Sequence, residues 1–369
     1  MAKNGLTKQS DITILAREID FVSRFTRNWN ALREVMNIMR PIRKAAGTTL
    51  TSYTAGVTLE SGAVAEGNEI PYSQATVTPV SYADLTINKY AKAVSIEAVS
   101  KFGATVAVQK TDEAFLNELQ GKVMEDFYTF LQTGSLINAQ TTFQMAIAMA
   151  IGRVRDKFKK MHKNESNITV FVNTLDYYKY LGSANITTQT SEGITYVKDF
   201  MGASTMILSS EIPEGKVIGV PADNIVLYYV DPSDSEFAQL GLNYTVEGET
   251  NLIGFHANGD YAHAVGESFA IMGMKLWAEY IDAIAVVYIG TETTVTNAET
   301  VTAKAGTTTV FDFAHSRVMT VDEVKVGDIA VTTGFKKTDT GIVFDTAPTG
   351  TVKVKYHYAA APAGYVVIG

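Results

Sequence analysis

The chain has 369 residues, 46% of them hydrophobic and 19% charged, with a formal net charge of −8, enough length and apolar content for about two packed domains. It has no cysteine, which excludes disulfides, thiolate metal sites and thiol nucleophiles together. The acidic balance argues against a general nucleic-acid binder, whose footprint is basic, but not against a container with DNA inside.

The N-terminal MAKNGLTKQSDITILARE is too polar for a signal peptide, so a cytoplasmic origin is expected. The longest apolar runs, 146–151 and 283–289, fall well short of the ~18 residues of a spanning helix. Between residues 1 and 44, Lys3, Lys8, Arg17, Arg24, Arg27, Arg33, Arg40, Arg43 and Lys44 outnumber Asp11, Glu18, Asp20 and Glu34. A first helix is expected from Asn28 to Pro41, with Trp29, Leu32, Met36 and Met39 on its buried stripe.

The next stretch has the opposite charge. No Lys or Arg occurs from Ala45 to Asn88, while Glu60, Glu66, Glu69 and Asp84 do. Strand-like sequence from Gly47 passes through a Gly-rich tip, ESGAVAEGNEIPYSQ, and returns as far as Ser100. Connections in compact domains run about 4–6 residues, so a hairpin roughly ten times longer is more than linkage. A two-stranded ribbon alone in water is marginal, and the support expected for it is another copy of the chain. Complementary charge registers partners more than it adds affinity. The candidate inter-subunit contacts are therefore Arg24, Arg27, Arg40 and Arg43 on the basic segment, with Glu60, Glu66, Glu69 and Tyr72 on the ribbon.

A longer helix is expected over 112–132. Thr111 or Asp112 would cap it, Asp112 and Glu113 would suit its positive end, and Gly134 follows it. Phe115, Leu119, Val123, Phe127 and Phe130 recur at helical spacing and form its core face. Gly121 within it costs about 1 kcal/mol of propensity, suggesting close packing or a bend. The next helix opens with a capping box, Thr141 with Gln144. It carries Ile147, Ile151, Val154 and Phe158 on one face and ends in Lys157, Lys159, Lys160 and Lys163. Those lysines suit the negative helix pole, a reading that outweighs phosphate contact.

ITVFV (168–172) reads as a buried strand that Asn173 turns into a short helix, TLDYYKYLG. Strands follow at 205–208, 216–220 and 224–230. Asn258-Gly259 predicts a two-residue hairpin turn, and 283–289 is a core strand. After Gly290 the composition turns Thr-rich and the helical pattern stops. In TVKVKYHY, Val352, Val354, Tyr356 and Tyr358 alternate with Lys353, Lys355 and His357. Residues 291–369 read as a separate all-β sandwich, immunoglobulin-like but without the cysteine–tryptophan signature of antibody domains.

Catalytic and cofactor motifs are missing. There is no G-x-G-x-x-G, P-loop or H-E-x-x-H pattern, and Gly266-Glu267-Ser268-Phe269-Ala270 lacks the final glycine of a nucleophile elbow. His256 and His263 would give two ligands where a metal site needs three or four. Catalytic, cofactor and metal residues are each assigned as none.

The order of features resembles the major capsid proteins of tailed bacteriophages, of the Hong Kong 97 type. The carriers are the ribbon with its VAEGNEIPYS tip and LTINKYAKAVSIEAVS return, the helix 112–132, NITVFVNTLDYYKYLG, MILSSEIPEGKVIGVPADNIVLYYVDP and MKLWAEYIDAIAVVYIG. Together they cover roughly 28–290. The resemblance implies an α+β fold with an N-terminal arm and first helix (1–44), an extended β-loop (45–92) and a peripheral domain with a long spine helix (93–135 and 275–290). An axial domain (136–274) and an immunoglobulin-like accessory domain (291–369) complete it.

The same resemblance implies assembly, not turnover. Pentamers and hexamers of the chain would form an icosahedral head shell around double-stranded DNA, in a virion assembled in the bacterial cytoplasm. The partners implied are other copies, a separate scaffolding protein, a portal protein at one vertex and a host-surface or glycan contact of the C-terminal domain. No membrane is involved. Some relatives weld subunits through a lysine on the extended loop. Here no lysine lies between Lys44 and Lys89, so a non-covalent shell is expected. Two alternatives stand beside this reading. One is an encapsulin-like compartment shell, and the other is a surface or glycan-binding module in 291–369. Loss of 291–369 is expected to leave assembly intact.

Overall fold

The computed structural model describes residues 17–26, 41–65, 68–163, 167–182, 189–191, 194–200, 202–221, 224–246, 248, 251–278 and 280–362. The helix expected over 28–41 lies almost wholly outside them; Pro41 itself begins a strand. The fold is mixed α+β and divides into two compact units. One comprises residues 1–29, 40–123 and 226–280; the other comprises 30–39, 124–225 and 281–369.

In the first unit, residues 17–26 form helix α1. Five strands build its sheet: β1 (Pro41–Arg43), β4 (Asn88–Ser95), β11 (Ile225–Val230), β12 (Ile253–Asp260) and β13 (Val265–Ala278). The order is β1-β11-β13-β12, with β4 also on β13. The apolar run of β13 explains its central place, since Ala270, Ile271, Met272, Met274, Leu276 and Trp277 are all buried.

The ribbon is a sheet of its own. β2 (Thr49–Thr58) and β3 (Gln74–Asp84) pair antiparallel from Thr49↔Asp84 to Thr58↔Gln74. Backbone bonds from Gly47 to Leu85 (2.9 Å) and from Leu85 to Thr48 (3.0 Å) close its base. Pro79 sits opposite Tyr53, which a sheet interior would not tolerate but a two-stranded ribbon does. The return was expected to run on to Ser100, and it does not. Leu85 is buried, the chain turns there, and β4 leaves to pair with β13 from Met272↔Asn88 to Val265↔Ser95. Ser95 then accepts a hydrogen bond from the Ala98 amide and starts helix α2 (Ile96–Phe102).

The Asn258-Gly259 turn is likewise corrected. Both residues lie within β12, opposite Glu267 and Gly266. The turn is 261–264, with the Asp260 carboxylate accepting from the Ala262 amide (2.8 Å). Pairing of β13 with β4 down to Val265 holds the strand extended past the Asn-Gly site, and that tertiary pairing overrides the local turn preference.

Helix α3 (Thr111–Leu131) follows directly on a π-helical segment, Thr105–Lys110. It has no side-chain cap of the kind expected: the Thr111 hydroxyl donates back to the Ala107 and Val108 carbonyls (2.8 and 2.9 Å), and Asp112 is engaged elsewhere. Leu116, Leu119, Val123, Phe127, Tyr128 and Leu131 are buried. Phe115 is only half-buried, because Leu116 takes the inward position in that turn. Nothing approaches within 4 Å of where a Cβ of Gly121 would lie, so close packing does not explain this glycine. Its residues through Val123 belong to the first unit, those from Met124 to the second.

The second unit holds a seven-stranded sheet in the order β5-β14-β10-β6-β9-β8-β7. Its strands are β5 (Leu136–Gln140), β6 (Ile168–Asn173), β7 (Gln189–Ser191), β8 (Ile194–Phe200), β9 (Ala203–Ser209), β10 (Lys216–Pro221) and β14 (Ala285–Ile289). β6, β10 and β14 are buried throughout, as their continuous apolar runs require. Helix α4 (Phe143–Lys160) is capped by Thr142, whose hydroxyl accepts from the Met145 amide, rather than by Thr141. Asn173 caps α5 (Thr174–Leu181) through Leu175 (2.7 Å). β14 pairs with β10 and β5 in this sheet, and residues 226–280 fall in the first unit.

The C-terminal segment is a two-sheet β-sandwich. One sheet is β15 (Thr291–Val301), β21 (Val352–Ala360), β17 (Val318–Val326) and β18 (Ile329–Ala330); the other is β16 (Val310–Asp312), β20 (Gly341–Phe344) and β19 (Phe335–Lys337). Both contribute to one core, including Val301, Phe311, Val324, Ile342, Phe344, Val354 and Tyr356. It falls in the same compact unit as the seven-stranded sheet. Among the described residues no helix is long and apolar enough to cross a membrane.

Gly134, at the end of α3, meets β14's approach so closely that a Cβ would lie 2.6 Å from Ile284 Cγ2 and 2.8 Å from its carbonyl oxygen. Gly134→Ala is expected to destabilise the second unit by about 1–3 kcal/mol, seen as a lower urea midpoint with an unchanged slope.

Candidate assembly surfaces

Helix α1 is held by a buried carboxylate. Glu18 is 4% exposed, and it accepts from the Thr245 hydroxyl (2.6 Å) and the Ala257 amide (2.5 Å), with His256 Nδ1 3.5 Å away. Phe21 stacks on Phe255 at 4.0 Å between centroids, and Val22 and Phe25 are buried beside it. A carboxylate buried this deeply is stable only with several donors, and here it has them.

A second junction joins three elements at the start of α3. Arg17 reaches both Asp112 oxygens (2.5 and 2.8 Å) and the Ser268 hydroxyl (2.7 Å). Lys92, in β4, donates to Asp112 and to the Thr111 hydroxyl (2.7 Å). Burial pushes the Asp112 carboxyl up, but its bonds from Arg17 and Lys92 outweigh this and hold it below the usual aspartate range. Burial pulls the Lys92 ammonium down, against the opposing pull of Asp112. Asp112 was expected at this helix end as a cap; the tertiary ion pairs replace that role.

The cations expected to meet a neighbour's ribbon have partners at home. Arg24 lies 3.8 Å from Asp20 and 3.9 Å from Glu113. Arg43 is 3.4 Å from Asp231 and also pairs with Asp234. Asp231 in turn accepts from the Ser233 amide (2.9 Å) and hydroxyl (2.6 Å). Arg27, Arg40 and Glu66 lie outside the described residues.

The ribbon's distal half is different. Glu60, Glu69 and Tyr72 are exposed, and the Ser73 hydroxyl accepts from the Glu60 amide (3.2 Å), closing the tip. Leu59 is 79% exposed, Ile70 72% and Tyr72 91%, with Val57 and Val77 also on the surface. So many large apolar groups on one thin element mark a contact surface. The acidic residues stood out in the sequence, but Leu59 and Ile70 did not. Their signal was present, as isolated large apolar residues in a tip otherwise small and polar.

The histidines and the serine singled out in the sequence have partners within the chain. His263 pairs with Asp260 and His256 faces Glu18. Ser268 is buried, its hydroxyl accepting from Arg17. Among the described residues no three His, Asp or Glu side chains are placed to hold a metal.

Asp112 contributes stability above the ordinary aspartate value of about 3.9 and loses it as pH falls through its lower folded value. Asp112→Asn should therefore cost about 1–3 kcal/mol at neutral pH, allowing for partial solvent screening. Between about pH 6 and about pH 3 the variant's unfolding midpoint should shift less than the wild type's, as followed by circular dichroism.

In sequence comparison no family model and no curated protein matches the chain. Solved structures do. A chain of the cyanophage A-1(L) capsid asymmetric unit is 13% identical, with 78% of this chain and 96% of that chain covered at a TM-score of 0.47. A chain from Mycobacterium phage Patience is 10% identical, covering 78% and 93% at 0.45. The SrpI encapsulin from Synechococcus elongatus is 12% identical, covering 77% and 92% at 0.42. The structural neighbours are phage capsid proteins of the Hong Kong 97 type and encapsulins.

Proposed function

We propose that the chain is a capsid protein whose copies assemble into a closed shell. The observation that carries this reading is the ribbon β2–β3, a two-stranded sheet with an exposed apolar tip. Such a ribbon is marginal in water, and a second copy is the partner always present at matching concentration. In this reading α1 and the residues before Arg43 are the arm, the ribbon is the loop draped on a neighbour, and α3 is the spine. The seven-stranded sheet lies in the domain around the symmetry axes, and the C-terminal sandwich is the accessory domain. Closure then requires self-complementary patches whose rotation returns on itself.

The finer reading is a tailed-phage head. Pentamers and hexamers would enclose double-stranded DNA, with a portal at one vertex and a separate scaffolding protein guiding assembly. Arg17, Arg24 and Arg43 lie beside carboxylates of their own chain, and the ribbon's contact with its neighbour is read as apolar at its centre, with Glu60 and Glu69 at the rim. With no lysine between Lys44 and Lys89, at the base of the loop, the shell is held without isopeptide bonds.

Purified chain, alone and with candidate scaffolding protein, should form closed shells or capsomer rings in negative-stain electron microscopy and light scattering. A stable monomer of 40.0 kDa under both conditions would sink the reading. Protein cargo in place of nucleic acid would make the shell a cellular compartment. The triple change Leu59→Ser, Ile70→Ser, Tyr72→Ser should abolish shells while leaving the monomer's circular dichroism and thermal midpoint unchanged; wild-type assembly by that variant would remove the ribbon from the interface. Mature particles boiled in detergent should run as a single band, and a ladder of linked subunits would contradict the non-covalent shell.

A further inference from the structure

The seven-stranded sheet and the C-terminal sandwich meet over a buried charge. Lys216, the first residue of β10, is 2% exposed. Its ammonium donates to Gln132 Oε1 at 3.0 Å and to Asp339 Oδ2 at 2.9 Å. Asp339 stands in the turn between β19 and β20, so the counter-charge of a sheet lysine is supplied by the sandwich. The other Asp339 oxygen accepts from the hydroxyl of Tyr288, a fully buried residue of β14. Arg317, 6% exposed, donates to the carbonyls of Gly215 (2.9 Å) and Ile289 (2.7 Å), and its guanidinium lies 5.4 Å from the Tyr288 ring centre. It does so from the left-handed region, φ +63°, a conformation a non-glycine residue holds only when its surroundings enforce it.

The covalent junction is as tight. At Gly290 a Cβ would lie 2.3 Å from the Ala360 carbonyl oxygen, so β21 passes directly over the one residue between β14 and β15. Burial pushes the Asp339 carboxyl up, but Lys216, the Tyr288 hydroxyl and Lys337 outweigh it and hold it below the usual aspartate range. A sandwich strung on a flexible linker would need none of this, and a lysine at its root would be left in water.

We infer that the C-terminal sandwich is clamped onto the seven-stranded sheet by Lys216, Asp339 and Tyr288, with Arg317 as the brace, and moves with that sheet as one body. The expectation of a separable module joined at Gly290 is thereby replaced. The clamp does not depend on the capsid reading. If that reading holds, each subunit carries its sandwich at a fixed angle as part of the shell body.

A pair with one buried partner, Lys216, and one partly exposed, Asp339, is tested by removing one and then both, because removing Asp339 strands the buried ammonium while replacing both with apolar groups is often near neutral. Purified full-length chain would be treated with a broad-specificity protease, and release of a C-terminal fragment cut near Gly290 followed by mass spectrometry. Wild type should resist; Asp339→Leu and Lys216→Met should each be cut at least about tenfold faster, as loss of a buried partner lets the sandwich swing away. The double variant Lys216→Met/Asp339→Leu should regain most of the resistance, which also guards against a single variant that merely misfolds. Ready cleavage of wild type, single variants as resistant as wild type, or a double variant cut as fast as the two singles combined would each overturn the clamp. The readout is the same for monomer and shell, so failure of assembly leaves it decisive.

Discussion

A two-stranded ribbon leaves a row of backbone amides and carbonyls on the outer side of each strand with no strand to receive them, and in this chain it also turns large apolar side chains to solvent. Both debts have one remedy, a surface supplied from outside. That constraint organises the functional reading. It explains why β2 and β3 can be Thr-rich and carry Pro79, and why the tip concentrates Leu59, Ile70 and Tyr72.

What holds the parts in place for such a contact is a set of carboxylates that each accept from more than one donor. Glu18 fixes α1 against β12, and Asp112 joins α1, β4 and the start of α3 through Arg17 and Lys92. In the second unit Asp339 does the same between sheet and sandwich. Each accepts from several donors drawn from different elements, and so ties those elements together. Among the described cations of the arm, Arg17 is engaged at the Asp112 junction, and Arg24 and Arg43 lie beside carboxylates of their own chain. Arg24 and Arg43 thus have partners within their own chain, while Arg27, Arg40 and Glu66 lie outside the described residues.

The sandwich changes meaning for the same reason. Its Thr-rich composition and alternating strands suggest an appendage, and an appendage is expected to be removable. Its root is instead built of Arg317, Lys337 and Asp339 facing Lys216 and Tyr288, with the crowded Gly290 between. Only its remaining surface is left for other partners.

The sequence by itself determined the elements whose signal is local. The periodic stripe of α3, the apolar runs of β6, β10 and β14, the Asn173 cap, the alternation of β21 and the acidic ribbon were all legible because backbone preference and burial there point the same way. Tertiary structure decided the rest. It took β4 out of the ribbon, carried β12 through an Asn-Gly turn signal, moved the α4 cap from Thr141 to Thr142, and set Leu116 inward in place of Phe115. It also brought Arg17 to Asp112 and Lys216 to Asp339, pairs separated by 95 and 123 residues. Such pairings depend on which strands lie side by side, and no window of sequence contains both partners.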